Sequence, residues 1–106
     1  MPYAVEFLRT AEEELADLPK DVQRKILKRI ESLQIDPRPA GVEQLKGPEK
    51  FLRLRAGDYR VIYLIEGRQL LILIVKIGDR KDVYKGLEVL TGRVTRWRQG
   101  KKPQGS

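Results

Sequence analysis

The chain opens with a short stretch of two-residue hydrophobic period. Aromatic and branched apolar residues occupy every second position over residues 3–8, which places Tyr3 and Phe7 on one face and predicts a strand. Thr10 follows, with Glu13 three residues later, and this is the spacing of a capping box at a helix N-terminus. The opening therefore predicts a β-strand that leads directly into a helix.

The next segment changes to a helical period. The first helix is expected to end near Pro19, and Asp21 is a suitable N-cap for a second helix. One face of the second helix is apolar, and its members are Val22, Ile26, Ile30 and Leu33. Basic residues cover much of the remaining surface: Lys20, Arg24, Lys25, Lys28 and Arg29. We predict an αα-hairpin that lies on a sheet.

The second half of the chain predicts that sheet. Residues 36–41 hold two prolines and a glycine and are expected to form a loop. Three strands are then expected over 51–55, 59–65 and 70–77, because the short glycine-containing connections AGD and EGR are typical of antiparallel hairpins. A terminal helix is expected from Asp82 onward, with apolar positions Val83, Leu87, Leu90 and Val94.

These elements give the order β-α-α-β-β-β-α, which is an α+β class. We expect a two-layer domain with an antiparallel sheet in the C-terminal half and helices packed on one face. Residues 1–92 are assigned to this single domain. Residues 93–106 are predicted to be a basic, flexible tail, because five basic residues and no acidic residue lie between positions 93 and 102.

Composition restricts the chemistry. The net charge of +7 favours polyanionic partners, such as nucleic acid, the ribosome or an acidic protein. The chain has no cysteine and no histidine, and its serines are Ser32 and Ser106. Disulfides, thiol nucleophiles, common zinc sites and Ser–His–Asp triads are thereby excluded. An enzyme of this composition works with Arg, Lys, Tyr, Asp and Glu, and we expect it to need no metal or other cofactor.

The sequence also predicts the location of the protein. No apolar run approaches the roughly 18 residues that a membrane span needs. The N-terminus, MPYAVEFLRT, lacks the basic start and the apolar core of a signal peptide. We therefore expect a cytoplasmic protein that does not associate with a membrane.

Three arginines lie within eight residues of the segment RLRAGDYRVIYLI, residues 53–65. Because side chains alternate along strands, Arg53, Arg55 and Arg60 are expected to share the outer face of the sheet. Such a basic face is suited to an RNA backbone. The structural alternative is an ordinary polar face, on which Arg55 pairs with a nearby carboxylate such as Asp58 or Glu66.

A second basic segment, GDRKDVY, follows the last predicted strand and adds Arg80 and Tyr84. Neighbouring cations favour the phenolate form of a tyrosine, so Tyr84 is a candidate general base. The structural alternative is that the ring of Tyr84 packs on the sheet edge.

The segments FLRLRAGDYRVIYLI and VKIGDRKDVY, together with the element order, resemble the RelE/ParE toxin superfamily, and the RelE-like branch more closely. The resemblance covers about residues 3 to 88. It implies the toxin of a type II toxin–antitoxin pair, a ribosome-dependent mRNA interferase that enters the ribosomal A site. It further implies metal-free cleavage of mRNA, in which a 2′-hydroxyl attacks the adjacent phosphate. The implied partners are the ribosome, mRNA and a RelB-like antitoxin, which forms a hetero-oligomer with the toxin.

The resemblance assigns roles to individual residues. Arg53, Arg60, Arg80 and Tyr84 match the family's catalytic set. Additional cations expected to contact RNA are Lys46, Lys50, Arg55 and Lys81. One position departs from the family pattern, because Phe51 stands where better-known members have a lysine. Arg53 replaces a second lysine and preserves its charge, although arginine is a poor proton donor.

Two other functions compete with RNA cleavage. ParE-like toxins share the fold and inhibit DNA gyrase, but members of that branch usually lack the catalytic cluster. The second alternative is a module that binds RNA or the ribosome without cleaving RNA. The replacement of a family lysine by Phe51 is consistent with that alternative.

Overall fold

The computed structural model describes residues 2–81 and 86–100 of the chain. The strands are β1 (Ala4–Phe7), β2 (Glu43–Gln44), β3 (Leu52–Ala56), β4 (Tyr59–Glu66) and β5 (Leu71–Asp79). The helices are α1 (Arg9–Ala16), α2 (Lys20–Leu33) and α3 (Leu87–Gly100). The predicted α+β class is confirmed, and the predicted element order is confirmed except for the short additional strand β2.

The strands form one mixed sheet in the order β1-β5-β4-β3-β2. Strands β3, β4 and β5 are antiparallel neighbours, as the hairpin signals predict. Strand β1 is parallel to β5, with Ala4 opposite Leu71 and Phe7 opposite Ile74. A tight turn cannot connect parallel strands, and the chain between β1 and β5 instead includes both helices and strands β2, β3 and β4.

Helices α1 and α2 pack on one face of the sheet. Val5 and Phe7 of β1 line a shallow pocket together with Leu27 and Ile30 of α2. Ile26 and Ile30 are fully or almost fully buried, at 0% and 2% exposure, so the apolar face predicted for α2 is its packing face.

Helix α3 contacts the opposite face. Glu6 of β1 lies on that face, since its neighbours Val5 and Phe7 point toward α2. The indole Nε1 of Trp97 donates a hydrogen bond to Glu6 Oε2 at 2.6 Å, and Arg98 Nη2 donates to Glu66 Oε1 at 3.0 Å. Leu90 and Val94 of this helix are buried. Helix α3 therefore covers part of the outer face of the sheet. The sequence predicted helices on one face only.

The length of α3 corrects the predicted tail. Residues 93–100 are helical, and the Arg93 side chain, 15% exposed, bonds to Glu14 and to the Val75 carbonyl oxygen. The segment after residue 92 thus begins as part of the folded domain. Residues 101–106 lie outside the described residues.

The predicted helix starts are displaced by one or two residues. Helix α1 begins at Arg9 with Leu8 as N-cap, and α2 begins at Lys20 with Pro19 as N-cap. Neither cap makes a side-chain hydrogen bond, so Thr10 and Asp21 lie within the first turns instead of capping them. Leu8 is fixed by the sheet, because its amide donates to the Ile74 carbonyl oxygen at 2.9 Å. Among the described residues, no helix has the length and apolarity that crossing a membrane requires.

The hydroxyl group of Tyr63 attaches the 36–41 loop to the sheet. It donates a hydrogen bond to the Pro37 carbonyl oxygen at 2.7 Å, and the Tyr63 residue is 0% exposed. Burial raises the pKa of Tyr63 from 10.0 to about 12. Arg38 and Arg29 oppose this increase in pKa, and Asp36 adds to it.

We expect Tyr63→Phe to lower the free energy of unfolding at pH 8 by about 1 kcal/mol, because one hydrogen bond is lost. The folded-state pKa lies above the unfolded value, so the protonated tyrosine stabilises the fold below pH 10. The protonated form contributes roughly 2–3 kcal/mol to the free energy of unfolding, and this contribution is lost as the pH rises from 10 through 12. Urea unfolding at pH 8 and pH 11 measures both effects. A difference between wild type and variant that does not decrease at pH 11 contradicts the prediction.

Candidate functional site

A small cleft opens where β2, β3 and β4 meet on the outer face of the sheet. It has a volume of about 180 Å³, and its lining residues are Gly41, Glu43, Arg53, Arg55 and Arg60. The strand register brings the arginines together, because Arg55 lies directly opposite Arg60, and Arg53 lies opposite Ile62. Like charges on opposed residues repel each other. The cleft therefore concentrates positive charge and is suited to bind an anion.

Arg53 is the most enclosed of the three arginines. Its side chain is 9% exposed, and Nη2 donates to Glu43 Oε2 at 2.6 Å. Glu43 is positioned by β2, since its backbone pairs with that of Arg53. The ion pair fixes the guanidinium at the edge of the cleft and offsets part of the cost of burying its charge. An entering phosphate has to share Arg53 with this carboxylate.

Arg60 is oriented by the backbone beside it. Its Nη1 atom donates to the Tyr59 carbonyl oxygen at 2.9 Å and to the Gly57 carbonyl oxygen at 3.1 Å. These are the hydrogen bonds that the guanidinium makes within the described part of the chain, and they use one of its three nitrogens. Arg60 is consequently held at the cleft with donors left to bind an oxyanion.

Arg55 has neither of the ion pairs that the polar-face alternative suggested. Its side chain is exposed, and Glu66 pairs instead with Arg98. The backbone of Arg55 accepts a hydrogen bond from Arg29 Nε at 3.2 Å. Arg55 therefore presents its charge to solvent at the rim of the cleft.

Arg80 and Lys81 flank the cleft without lining it. They follow β5, whose Gly78 lies opposite Arg60. The Arg80 amide donates to the Asp58 carbonyl oxygen at 3.1 Å, which attaches this segment to the β3–β4 turn. Both side chains are exposed. Their positive charges are therefore presented to solvent at the end of the sheet.

Lys46 and Lys50 are not part of this cluster. Both are exposed in the loop between β2 and β3, at the opposite end of β3 from Arg55. Residues 51 and 55 are separated by about 13 Å of extended strand. Phe51 is 2% exposed and belongs to the core. At the position where better-known family members have a lysine, this chain therefore has a buried apolar side chain. Neither lysine lines the cleft.

Tyr84 lies outside the described residues, so its proposed role is argued from the sequence alone. Glu43 is the cleft residue that the sequence analysis missed. Its signal was weak, because β2 is two residues long and has no hydrophobic alternation.

Comparison with known proteins shows the family to which this fold belongs. A family model described as the ParE toxin of type II toxin–antitoxin systems, parDE, matches residues 5–84. The RelE1 protein of Methanocaldococcus jannaschii is 33% identical over 88 residues, which cover 80% of this chain and 98% of that protein. Toxin RelG of Mycobacterium tuberculosis is 27% identical over 86 residues, covering 80% and 99%.

A solved structure of a RelE toxin is also similar to this chain. The archaeal RelE–RelB complex from Pyrococcus horikoshii is similar with a TM-score of 0.67 and 33% identity, covering 76% of this chain and 97% of that chain. The fold and the sequence matches together define a toxin of the type II toxin–antitoxin class. The chain belongs to the RelE/ParE toxin family, as the hairpin motifs predict, and its relatives show that it is RelE-like.

Proposed function

We propose that this toxin is a ribosome-dependent endoribonuclease that cleaves mRNA in the ribosomal A site, and that the arginine cleft binds the scissile phosphate. The observation that carries the proposal is the convergence of Arg53, Arg55 and Arg60 on one cleft. RNA contains its own nucleophile, so a protein without cysteine or histidine can catalyse its cleavage by positioning and charge alone.

The chemistry is an intramolecular transfer. The 2′-oxygen attacks the adjacent phosphorus atom, the bond from phosphorus to the 5′-oxygen breaks, and the products are a 2′,3′-cyclic phosphate and a free 5′-hydroxyl. We assign Tyr84 as the base that accepts the 2′-hydroxyl proton. Arg60 and Arg53 stabilise the charge that develops on the phosphorane. Arg80 stabilises the negative charge on the departing 5′-oxygen, which takes its proton from solvent water.

The partner of the free toxin is proposed on the same basis. The related Pyrococcus horikoshii structure is a complex of RelE with RelB. We propose that this chain likewise binds a RelB-like antitoxin and that the two form a hetero-oligomer. The net charge of +7 favours an antitoxin with an acidic toxin-binding segment. The proposed site of action is the cytoplasm, where the ribosomes are.

The deciding experiment adds purified protein to ribosomes stalled on a defined mRNA and maps the new 5′ ends of the downstream mRNA fragments by primer extension. Cuts confined to the A-site codon, and absent when naked mRNA is used, are expected. Intact mRNA at high protein concentration, with ribosome binding retained, contradicts the nuclease proposal and supports a non-catalytic binding module.

Tyr84→Phe tests the assigned base. The variant lacks the phenol oxygen, so we expect cleavage to slow on the order of 10²-fold while ribosome binding is unchanged. Single-turnover cleavage and ribosome co-sedimentation measure the two quantities. Tyr59→Phe is a matched control, because Tyr59 is a half-buried tyrosine of β4 that does not line the cleft. Full activity of Tyr84→Phe removes Tyr84 from the mechanism.

Inhibition of DNA gyrase is the second candidate, and the match to the ParE family model favours it. The buried Phe51 is consistent with this alternative, because it removes a family charge from the site. A gyrase supercoiling assay with the same protein preparation distinguishes the two functions. Inhibited supercoiling together with intact ribosome-bound mRNA establishes the ParE-like activity.

A further inference from the structure

A second depression lies beside the arginine cleft, between α2 and the end of β3. Its volume is about 400 Å³, and it is lined by Lys25, Lys28, Arg29, Ser32, Arg55, Ala56 and Gly57. Arg55 lines both depressions, so this residue lies between them at the edge of β3. We call the second depression the α2 groove.

The α2 groove exists because β2 is short. Strand β2 pairs only with Arg53 and Leu52, which leaves the edge of β3 uncovered from Leu54 onward. Arg29 of α2 reaches this edge, and its Nε atom donates to the Arg55 carbonyl oxygen at 3.2 Å. Gly57 has φ of +63°, a backbone conformation that glycine adopts readily, and it completes a floor of small residues with Ala56. A chain leaving the cleft past Arg55 therefore has an open path to α2.

The charge of the α2 groove is unbalanced. Lys25, Lys28 and Arg29 fall on one side of α2, because residues three and four apart are neighbours on a helix. No acidic residue lines the groove. None of the ion pairs within residues 2–81 and 86–100 involves these three cations. An incoming phosphate consequently displaces water from them and competes with no carboxylate, in contrast to Arg53 in the cleft.

We propose that the α2 groove binds the phosphodiester backbone of the RNA strand that continues from the arginine cleft. This inference rests on the proposed function and extends it, since it defines a track for the nucleotides next to the scissile bond. Because Arg55 lines both the cleft and the α2 groove, the substrate strand is favoured over a separate RNA. Basic grooves that follow a single strand without reading its bases are a common mode of RNA binding.

The test compares two single-stranded RNAs that carry a 2′-deoxy nucleotide at the scissile position and so cannot be cleaved. A trinucleotide can place a phosphate in the cleft but is too short to follow the α2 groove, and a nonanucleotide is long enough to do both. Binding to the full-length protein is measured by fluorescence anisotropy across a salt series. The variant Lys25→Gln/Lys28→Gln is expected to weaken nonanucleotide binding about 10–30-fold near 0.1 M salt and to reduce the salt slope by about 1.4. Trinucleotide binding is expected to be unchanged.

The control variant is Lys20→Gln/Arg24→Gln, which removes two positive charges from exposed positions of the same helix outside the α2 groove. The proposal is overturned if the control weakens binding as much, since net charge then explains the effect. It is also overturned if the variant loses affinity for both RNAs equally. Normal nonanucleotide binding with weakened ribosome binding assigns the groove to ribosomal RNA and overturns the proposal as well.

The failure of this inference can be distinguished from failure of the proposed function. If the wild-type protein cleaves mRNA in the A site and its nonanucleotide affinity does not depend on Lys25 and Lys28, the RNA path along the α2 groove is rejected. The proposed nuclease activity is then retained. If the wild-type protein cleaves no mRNA and binds neither RNA, both the α2 groove inference and the proposed nuclease activity are rejected.

Discussion

Replacement of Arg60 by alanine is expected to slow A-site cleavage by about 10²–10³-fold, which is the cost of removing a preorganised charge contact to a transition state. Arg60 is held in place before substrate arrives, because one guanidinium nitrogen is fixed on the carbonyl oxygens of Gly57 and Tyr59. The other nitrogens are then positioned for the charge that develops on the phosphorane. Single-turnover cleavage on stalled ribosomes measures the effect.

Two variants accompany this measurement. Arg60→Lys retains the charge but loses the planar fork, so it is expected to restore only part of the rate. Arg68→Ala removes the same charge from an exposed position at the far end of β4, outside the cleft, and should cleave like wild type. Equal rates for Arg60→Ala and Arg68→Ala contradict a role of the cleft in catalysis. Thermal unfolding of each variant confirms that the fold is retained.

Replacement of Glu14 by alanine is expected to lower the free energy of unfolding by about 2–4 kcal/mol, because it leaves two enclosed cations without their carboxylate. Glu14 of α1 accepts hydrogen bonds from Lys76 Nζ at 3.0 Å, from the Ile77 amide at 3.1 Å and from Arg93 Nη2 at 3.3 Å. The Lys76 and Arg93 side chains are 17% and 15% exposed. This carboxylate therefore joins α1, the edge of β5 and α3.

Glu13→Ala is the matched control for Glu14→Ala. Glu13 is the preceding residue of the same helix, and its ion pair with Arg9 is 3.8 Å long between side chains that are 66% and 90% exposed. Such a pair contributes at most about 0.5 kcal/mol. Urea unfolding measures both variants, and hydrogen exchange in α3 is expected to accelerate only in Glu14→Ala. Equal losses of stability in the two variants contradict the assigned role of Glu14.

Most of the fold could be predicted because its signals are local. The alternation around the AGD and EGR connections is strong enough to define β3, β4 and β5 and their antiparallel pairing. The position of β1 had no such signal, since its partner strand lies far along the chain. The end of α3 was also missed, because a basic segment such as residues 93–100 forms a helix here through distant acidic partners, Glu6, Glu14, Glu49 and Glu66.

The candidate site was predicted in part. The shared face of Arg53, Arg55 and Arg60 follows from strand alternation alone, and the strand register confirms it. The pairing of Arg53 with Glu43 could not be predicted, since it depends on a two-residue strand held only by β3. The lysines of α2 appeared in the sequence as a solvated helix face. Their position beside Arg55 depends on how α2 packs on the sheet.

The parallel pairing of β1 has a consequence for the synthesis of the toxin. Ala4 pairs with Leu71, and Trp97 returns to bond Glu6, so the first strand finds its partners only after most of the chain has been made. Closing so long a loop delays folding, because the chain loses conformational entropy before the contacts between its distant ends form. A nascent chain that stops before β5 lacks the strand that joins β1 to β4, so its sheet is incomplete. An interrupted round of translation therefore releases fragments that lack the folded toxin domain.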